Sequence, residues 1–394
     1  MSYRNIILPL AMMVLAGCNT RQAPEIKHTA LPETFAHQEL ASDKKQIENE
    51  YLKLTFFPQI CGGVENITLK DQNLTLLWGG TLVKFSNGPL MVYSQATGVL
   101  FNEKLWRHND AIISNMELRK ITPDSATLYC YEYGAYAAEL LRNITLEKDA
   151  LCVNFDVALK FKSVPKAGYT SPWLNLMPSG DISWVAAIPA KGGDAVNSLG
   201  QRTDFPATGI YRGGWHGPNT YFAPVRRWVA VSSPEKRVAL ALIQNNPPEK
   251  CTLYSWIGRL GEKTGRTIEF ILPGVTLDKN LSGSYHYQLA IFPGITDLRE
   301  IIRNTAVGLE LKGNELLFTF SVCRETPARK VVINYAPAGK KATQLLSAEI
   351  PRLRPGSSCT LSCKVPAGYS AEGLISGTLG KENFELLKVI TKQK

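Results

Sequence analysis

The run Leu151-Cys152-Val153-Asn154-Phe155-Asp156-Val157-Ala158-Leu159-Lys160-Phe161 has an apolar side chain at every odd position and sets Cys152, Asn154, Asp156 and Lys160 between them. Successive side chains of a strand point to opposite faces, so the run predicts a strand with one packed face and one wet face. Shorter alternating runs precede it: Leu52, Leu54 and Phe56; Leu74, Leu76 and Trp78; Leu82, Val83 and Phe85; Leu128, Tyr129, Tyr131 and Tyr133. Breaks at Gly62-Gly63, Gly79-Gly80, Gly192-Gly193, Gly213-Gly214 and Pro247-Pro248 recur at turn spacing, the punctuation of sandwiches and barrels. The chain is therefore expected to be all-β.

Helical spacing stands out at one place, Asp297 to Ala306, where Leu298, Ile301 and Ile302 recur and Asp297 is suited to cap the free amides of a first turn. This predicts a helix serving as a joint. Beyond Gly308 strand-like runs resume at Leu316 to Val322, Lys330 to Tyr335, Gln344 to Ile350, Ser358 to Val365, Leu374 to Leu379 and Phe384 to Ile390. Their density predicts a small immunoglobulin-like β-sandwich over 308–394, behind a large antiparallel β domain over 49–307.

The N-terminus reads differently. A single charge at Arg4, an apolar stretch from Ile6 to Ala16 and the sequence Leu15-Ala16-Gly17-Cys18 have the layout of a signal peptide. The stretch is too short to span a bilayer. Its end resembles the bacterial lipobox, which implies a 1–18 signal segment, lipidation of Cys18 and a lipid bilayer as partner. The expected location is the bacterial cell envelope, and Asn19 in place of Asp points by the same resemblance to the outer membrane. The polar 19–48 stretch, with Pro24, Pro32 and a charged run from Glu39 to Glu50, is expected to be a flexible tether.

Of 394 residues, 44% are apolar and 20% charged, ordinary globular stock. The formal charge is +10, but Lys and Arg are scattered in ones and twos with no basic stripe interleaved with aromatics, which argues against a nucleic-acid partner. The eight cysteines less Cys18 leave seven, an odd number, so one thiol has no intramolecular partner. Cys359 and Cys363 lack a second pair or a nearby histidine to complete four ligands. No metal and no cofactor are expected.

Two stretches resemble a known family. Leu52-Lys53-Leu54-Thr55-Phe56-Phe57-Pro58-Gln59-Ile60-Cys61-Gly62-Gly63-Val64-Glu65-Asn66-Ile67, leading on to Trp78, resembles the first hairpin of galactose mutarotase-like proteins. Tyr169-Thr170-Ser171-Pro172-Trp173-Leu174-Asn175-Leu176 is similar to the segment in which those proteins carry a catalytic histidine ahead of an aromatic, Asn and Leu. The resemblance implies a β-supersandwich with a carbohydrate cleft on a concave face. Ser171 stands where the catalytic histidine would be, and no C-terminal Glu motif supplies the base. Mutarotation needs both an acid and a base, so the resemblance does not imply an aldose epimerase.

The densest display of binding chemistry runs from Gly209 to Arg227 and contains Arg212, Trp215, His216, Asn219, Tyr221 and Arg226. Aromatic rings stack on the C–H faces of sugars while Arg, Asn and His donate directional hydrogen bonds, the combination a polar ligand site needs; local packing of a surface loop is the competing reading. Trp173 and Asn175, near Asp181 and Trp184, form a second aromatic-polar cluster that lines the same cleft or fills the core. His216 or Tyr221 is the candidate proton acceptor of any lyase or epimerase chemistry, with Arg212 or Arg226 neutralising a carboxylate. His108 and His286 are expected to be structural. The leading expectation is a non-catalytic carbohydrate-binding lipoprotein; the alternatives are a glycan lyase or epimerase and an assembly lipoprotein with protein partners.

Overall fold

The computed structural model describes residues 44–58, 62–77, 82–84, 90–92, 99–101, 116–133, 138–165, 172–176, 178–179, 181–196, 202–205, 207–212, 220–244, 252–260, 263–271, 275–370 and 372–390. The expected signal segment, Cys18 and residues 19–43 of the expected tether lie outside them; the end of that stretch is not a tether, because Lys45–Glu48 is a strand paired with Leu52–Phe57 and buries Ile47. Every regular element among the described residues is a strand, as the period-two runs require.

The framework is a nine-stranded sheet whose order in space is Gly209–Tyr211, Val185–Ala190, Trp228–Ser233, Val238–Gln244, Ser282–Pro293, Cys152–Lys160, Ala138–Leu146, Ser125–Tyr133 and Glu117–Ile121. All eight pairings are antiparallel. In its centre Val153, Phe155, Val157 and Leu159 are buried, whereas Asp156, Ala158 and Lys160 are exposed. The ring of Phe155 stacks on that of Tyr287, its partner across the pair, at 4.6 Å and 3°. Burial of each such side chain contributes about 1.5–3 kcal/mol.

A five-stranded sheet, ordered Thr220–Phe222, Thr252–Leu260, Lys263–Ile271, Pro172–Leu176 and Val99–Phe101, adds Leu174, Leu176, Ile268 and Phe270 to the same core. The opening hairpin belongs to a four-stranded sheet, Lys45–Glu48, Leu52–Phe57, Gly63–Leu69 and Leu74–Thr75. At its turn the carbonyl of Gly62 accepts a hydrogen bond from Nη1 of the fully buried Arg142 at 3.2 Å. Gly62 has φ +60°, and a Cβ there would lie 2.4 Å from Cδ1 of Leu128, so the position is glycine for conformation and for space alike.

The expected helix at Asp297 to Ala306 is a hairpin. Leu298–Ile302 pairs antiparallel with Thr305–Lys312. Leu298, Glu300 and Ile302 are buried and Arg299 and Ile301 half-buried, so the true period is two. Leu298, Ile301 and Ile302 fit helical spacing as well, but β-branched neighbours favour a pleated, half-buried surface. The buried carboxylate of Glu300 also accepts from Arg226 and Trp228, distant in sequence, a tertiary match that outweighs local propensity.

The hairpin opens a second pair of sheets. One is ordered Leu298–Ile302, Thr305–Lys312, Glu315–Val322 and Ser358–Lys364; the other Thr343–Ile350, Arg329–Ala336, Leu374–Leu379 and Glu382–Leu386. Between them lies a separate core containing Val307, Phe318, Phe320, Val331, Ile333, Tyr335 and Phe384.

Candidate functional site

Three of the residues singled out in the sequence come together through the five-stranded sheet. Tyr221 lies opposite Tyr254, Tyr254 opposite Glu269, and Glu269 opposite Asn175. Directly opposed residues of an antiparallel pair share a face, so Tyr221, Tyr254, Glu269 and Asn175 form one row across four strands. With about 4.8 Å between strands, the row spans roughly 14 Å. A second row on the same face holds Trp173, Ile271 and Thr252, and Trp256 pairs with Thr267 beyond Tyr254. The alternate positions Leu174, Leu176, Ile268 and Phe270 are buried in the main core. On the strands Pro172–Leu176 and Lys263–Ile271 the row therefore alternates with the positions buried in that core.

Sequence reasoning missed Tyr254 and Glu269. Their local signal was present: Tyr254 and Trp256 share one face of their strand, and Glu269 interrupts Ile268 and Phe270 with a carboxylate. Only register shows that they continue the line from Tyr221 to Asn175.

Trp215, His216 and Asn219 lie outside the described residues, as does His108. Arg212 and Arg226 are placed, and both are engaged within the protein. Nη2 of Arg212 donates to Oδ1 of Asp297 at 2.5 Å, while Oδ2 of Asp297 accepts from Nε and Nη2 of Arg299 at 3.1 and 3.0 Å. Nε of Arg226 donates to Oε2 of Glu300 at 2.8 Å; Oε1 accepts from Nε1 of Trp228 and from the amide of Ile301, each at 2.9 Å. These guanidiniums serve the junction with the 298–312 hairpin. Nε1 of Trp184 donates to the carbonyl of Ser179 at 2.9 Å and its ring packs half-buried against the core, while Asp181 is exposed.

His286 belongs to another surface. Its Nδ1 lies 2.7 Å from Oδ1 of Asp156, its cross-strand partner on the wet face of the nine-stranded sheet. Asn143 is opposite Asp156, and its Oδ1 accepts from Thr127 at 2.9 Å. Next to this ladder, Glu147 accepts from Nε of Arg324 at 2.6 Å and from Nδ2 of Asn154 at 2.6 Å. The Arg324 donors hold the Glu147 carboxyl below its ordinary range, against the opposing effect of burial.

No family model matches the chain, and no curated protein matches it. Among solved structures it is similar to a galactose mutarotase-like protein from Lactobacillus casei, 13% identical over 63% of this chain and 99% of that one, with a TM-score of 0.47. It is also similar to a galactose mutarotase related enzyme from Lactobacillus acidophilus, 9% identical over 63% and 97% of the two chains, TM-score 0.46. A TPR-domain containing protein from Parabacteroides distasonis matches at 14% identity over 62% of this chain and 46% of that one, TM-score 0.44.

Proposed function

We propose that the protein binds carbohydrate on one face of its five-stranded sheet, without turnover, and that a lipid on Cys18 holds it at the bacterial outer membrane. The observation that carries the binding reading is the continuous row Tyr221, Tyr254, Glu269 and Asn175, with Trp173 and Trp256 beside it. Aromatic surface and directional polar groups on one rigid platform suit a ligand with apolar C–H faces and a hydroxyl rim. Mounting them on strands fixes their spacing before the ligand arrives, which lowers the ordering cost of binding.

The test is a glycan array spanning neutral and acidic oligosaccharides, repeated with Tyr254→Ala and Trp173→Ala. Each replacement is expected to weaken capture of the best glycan roughly tenfold, about 1.4 kcal/mol. If the intact protein captures nothing, the carbohydrate reading fails and protein partners in the envelope become the better account.

A second reading, a lyase or epimerase reaction, draws on one feature: Glu269 stands between Tyr254 and Asn175 in the register of the row, and a carboxylic acid is a residue type from which a proton can be taken or given. Glu269→Gln distinguishes the two. Loss of turnover with binding retained supports catalysis, with His216 the next residue to replace; unchanged capture and no turnover in either protein supports a binding platform.

A further inference from the structure

Cys152 and Cys323 meet in the core of the large domain, where the chain enters it from the C-terminal pair of sheets. Cys152 opens the central strand Cys152–Lys160, and Cys323 follows the strand Glu315–Val322 of the C-terminal pair of sheets. The backbone brings the two stretches together: the amide of Leu151 donates to the carbonyl of Cys323 at 2.7 Å, and Ala150 forms an antiparallel bridge with Arg324. Neither cysteine has any exposed surface, and their side chains are in hydrogen-bond contact. The two buried thiols come from segments about 170 residues apart in sequence and share the core of the large domain.

We propose that Cys152 and Cys323 form a disulfide that fastens the C-terminal sandwich to the large domain. The structure holds them as free thiols. Joining them removes two electrons and two protons, so a partner must accept both, and the class required is a dithiol–disulfide oxidant. One cysteine attacks the oxidant's disulfide to give a mixed disulfide and releases one thiol. The thiolate of the other then displaces the second, leaving Cys152–Cys323 joined and the oxidant reduced to two thiols.

Timing follows from burial. The hydrogen bond to Cys323, reinforced by burial, pushes the Cys152 thiol far above its ordinary pKa, so little thiolate exists once the junction has closed. The bond therefore forms while the chain is folding, and afterwards the lack of exposure keeps reductants out. The pairing rests on the envelope reading only for its oxidant, since exported proteins meet an oxidising environment and cytosolic ones do not.

The full chain is recovered from cells with its free thiols blocked before and after denaturation, then digested without reductant and mapped by mass spectrometry. The expected result is one peptide pair joined through Cys152 and Cys323. In parallel, reduced and denatured protein is refolded in a glutathione redox buffer and mapped in the same way. The pair joined in the refolded sample alone supports the pairing and counts against export. Both cysteines blocked as free thiols in both samples, or either joined to a different cysteine, overturns it. Cys323→Ser is expected to leave Cys152 alkylated after denaturation; because the wild-type map stands by itself, the inference does not depend on that variant folding.

Discussion

Glu147 and Arg324 lie 177 residues apart, yet the guanidinium grips both oxygens of the carboxylate, at 2.6 and 2.5 Å. Arg324 also donates to Oδ1 of Asn304 at 2.8 Å, so one side chain ties the end of the Ala138–Leu146 strand to the 298–312 hairpin. Because the folded protein lowers the pKa of Glu147, the pair contributes stability in full above the unfolded value of about 4.3. That contribution is lost as pH falls through the lower folded value. Thermal unfolding followed across pH 3–6 should therefore show Tm falling below about pH 4.3, and Glu147→Gln should flatten the fall there. An equally steep fall in the variant would place the acid sensitivity elsewhere. Neither residue drew attention in the sequence, because an ion pair over such a separation leaves no local pattern.

The same limit operates on elements. Residues 297–306 fit two periods, and the choice between them is made by neighbours distant in sequence: Glu300 is buried against Arg226 and Trp228, and Leu298 pairs with Gly308. The hairpin carries a conformational marker that a helix would not, the left-handed Arg303 at φ +52° between Ile302 and Thr305. An L-residue in that region is strained by roughly 1–2 kcal/mol. Arg303→Gly is thus expected to raise stability by up to about 1 kcal/mol, read as a higher denaturant midpoint at unchanged slope. In a helix the same replacement would cost about 1 kcal/mol, so the sign alone separates the two structures. The salt bridge from Arg303 to Glu382 is lost in the variant, but Arg303 is 75% exposed and such pairs contribute little.

Across the whole molecule, strand order departs from chain order. The strand Ser282–Pro293 inserts between Val238–Gln244 and Cys152–Lys160, and the row of the candidate site joins residues 175, 221, 254 and 269. Such pairings are non-local and form only after long loops have closed. Arg212 with Asp297 and Arg226 with Glu300 extend the same logic to the junction: arginines expected to meet a ligand are committed to holding two cores together. The proposed attachment to the envelope is tested on the full chain. Cys18→Ala should shift the protein from the membrane fraction to the soluble fraction and abolish acyl labelling, because stable anchoring needs the multiple acyl chains that a lipidated cysteine carries. Retention of the variant in the membrane fraction would rule out the lipid as the anchor.

Local alternation was enough to determine the all-β class, the central strand at 151–161 and which of its faces is dry, because period two is written into consecutive residues. Trp173, Asn175 and Tyr221 were legible as candidates for a similar reason, since each residue type carries its binding chemistry with it, but whether they share a face was left open. Tertiary structure alone decided that Tyr254 and Glu269 complete their row, that 298–312 is a hairpin and that Arg212 and Arg226 face carboxylates. Those outcomes depend on register between strands and on the satisfaction of buried charge, and both are fixed by residues far away in the chain.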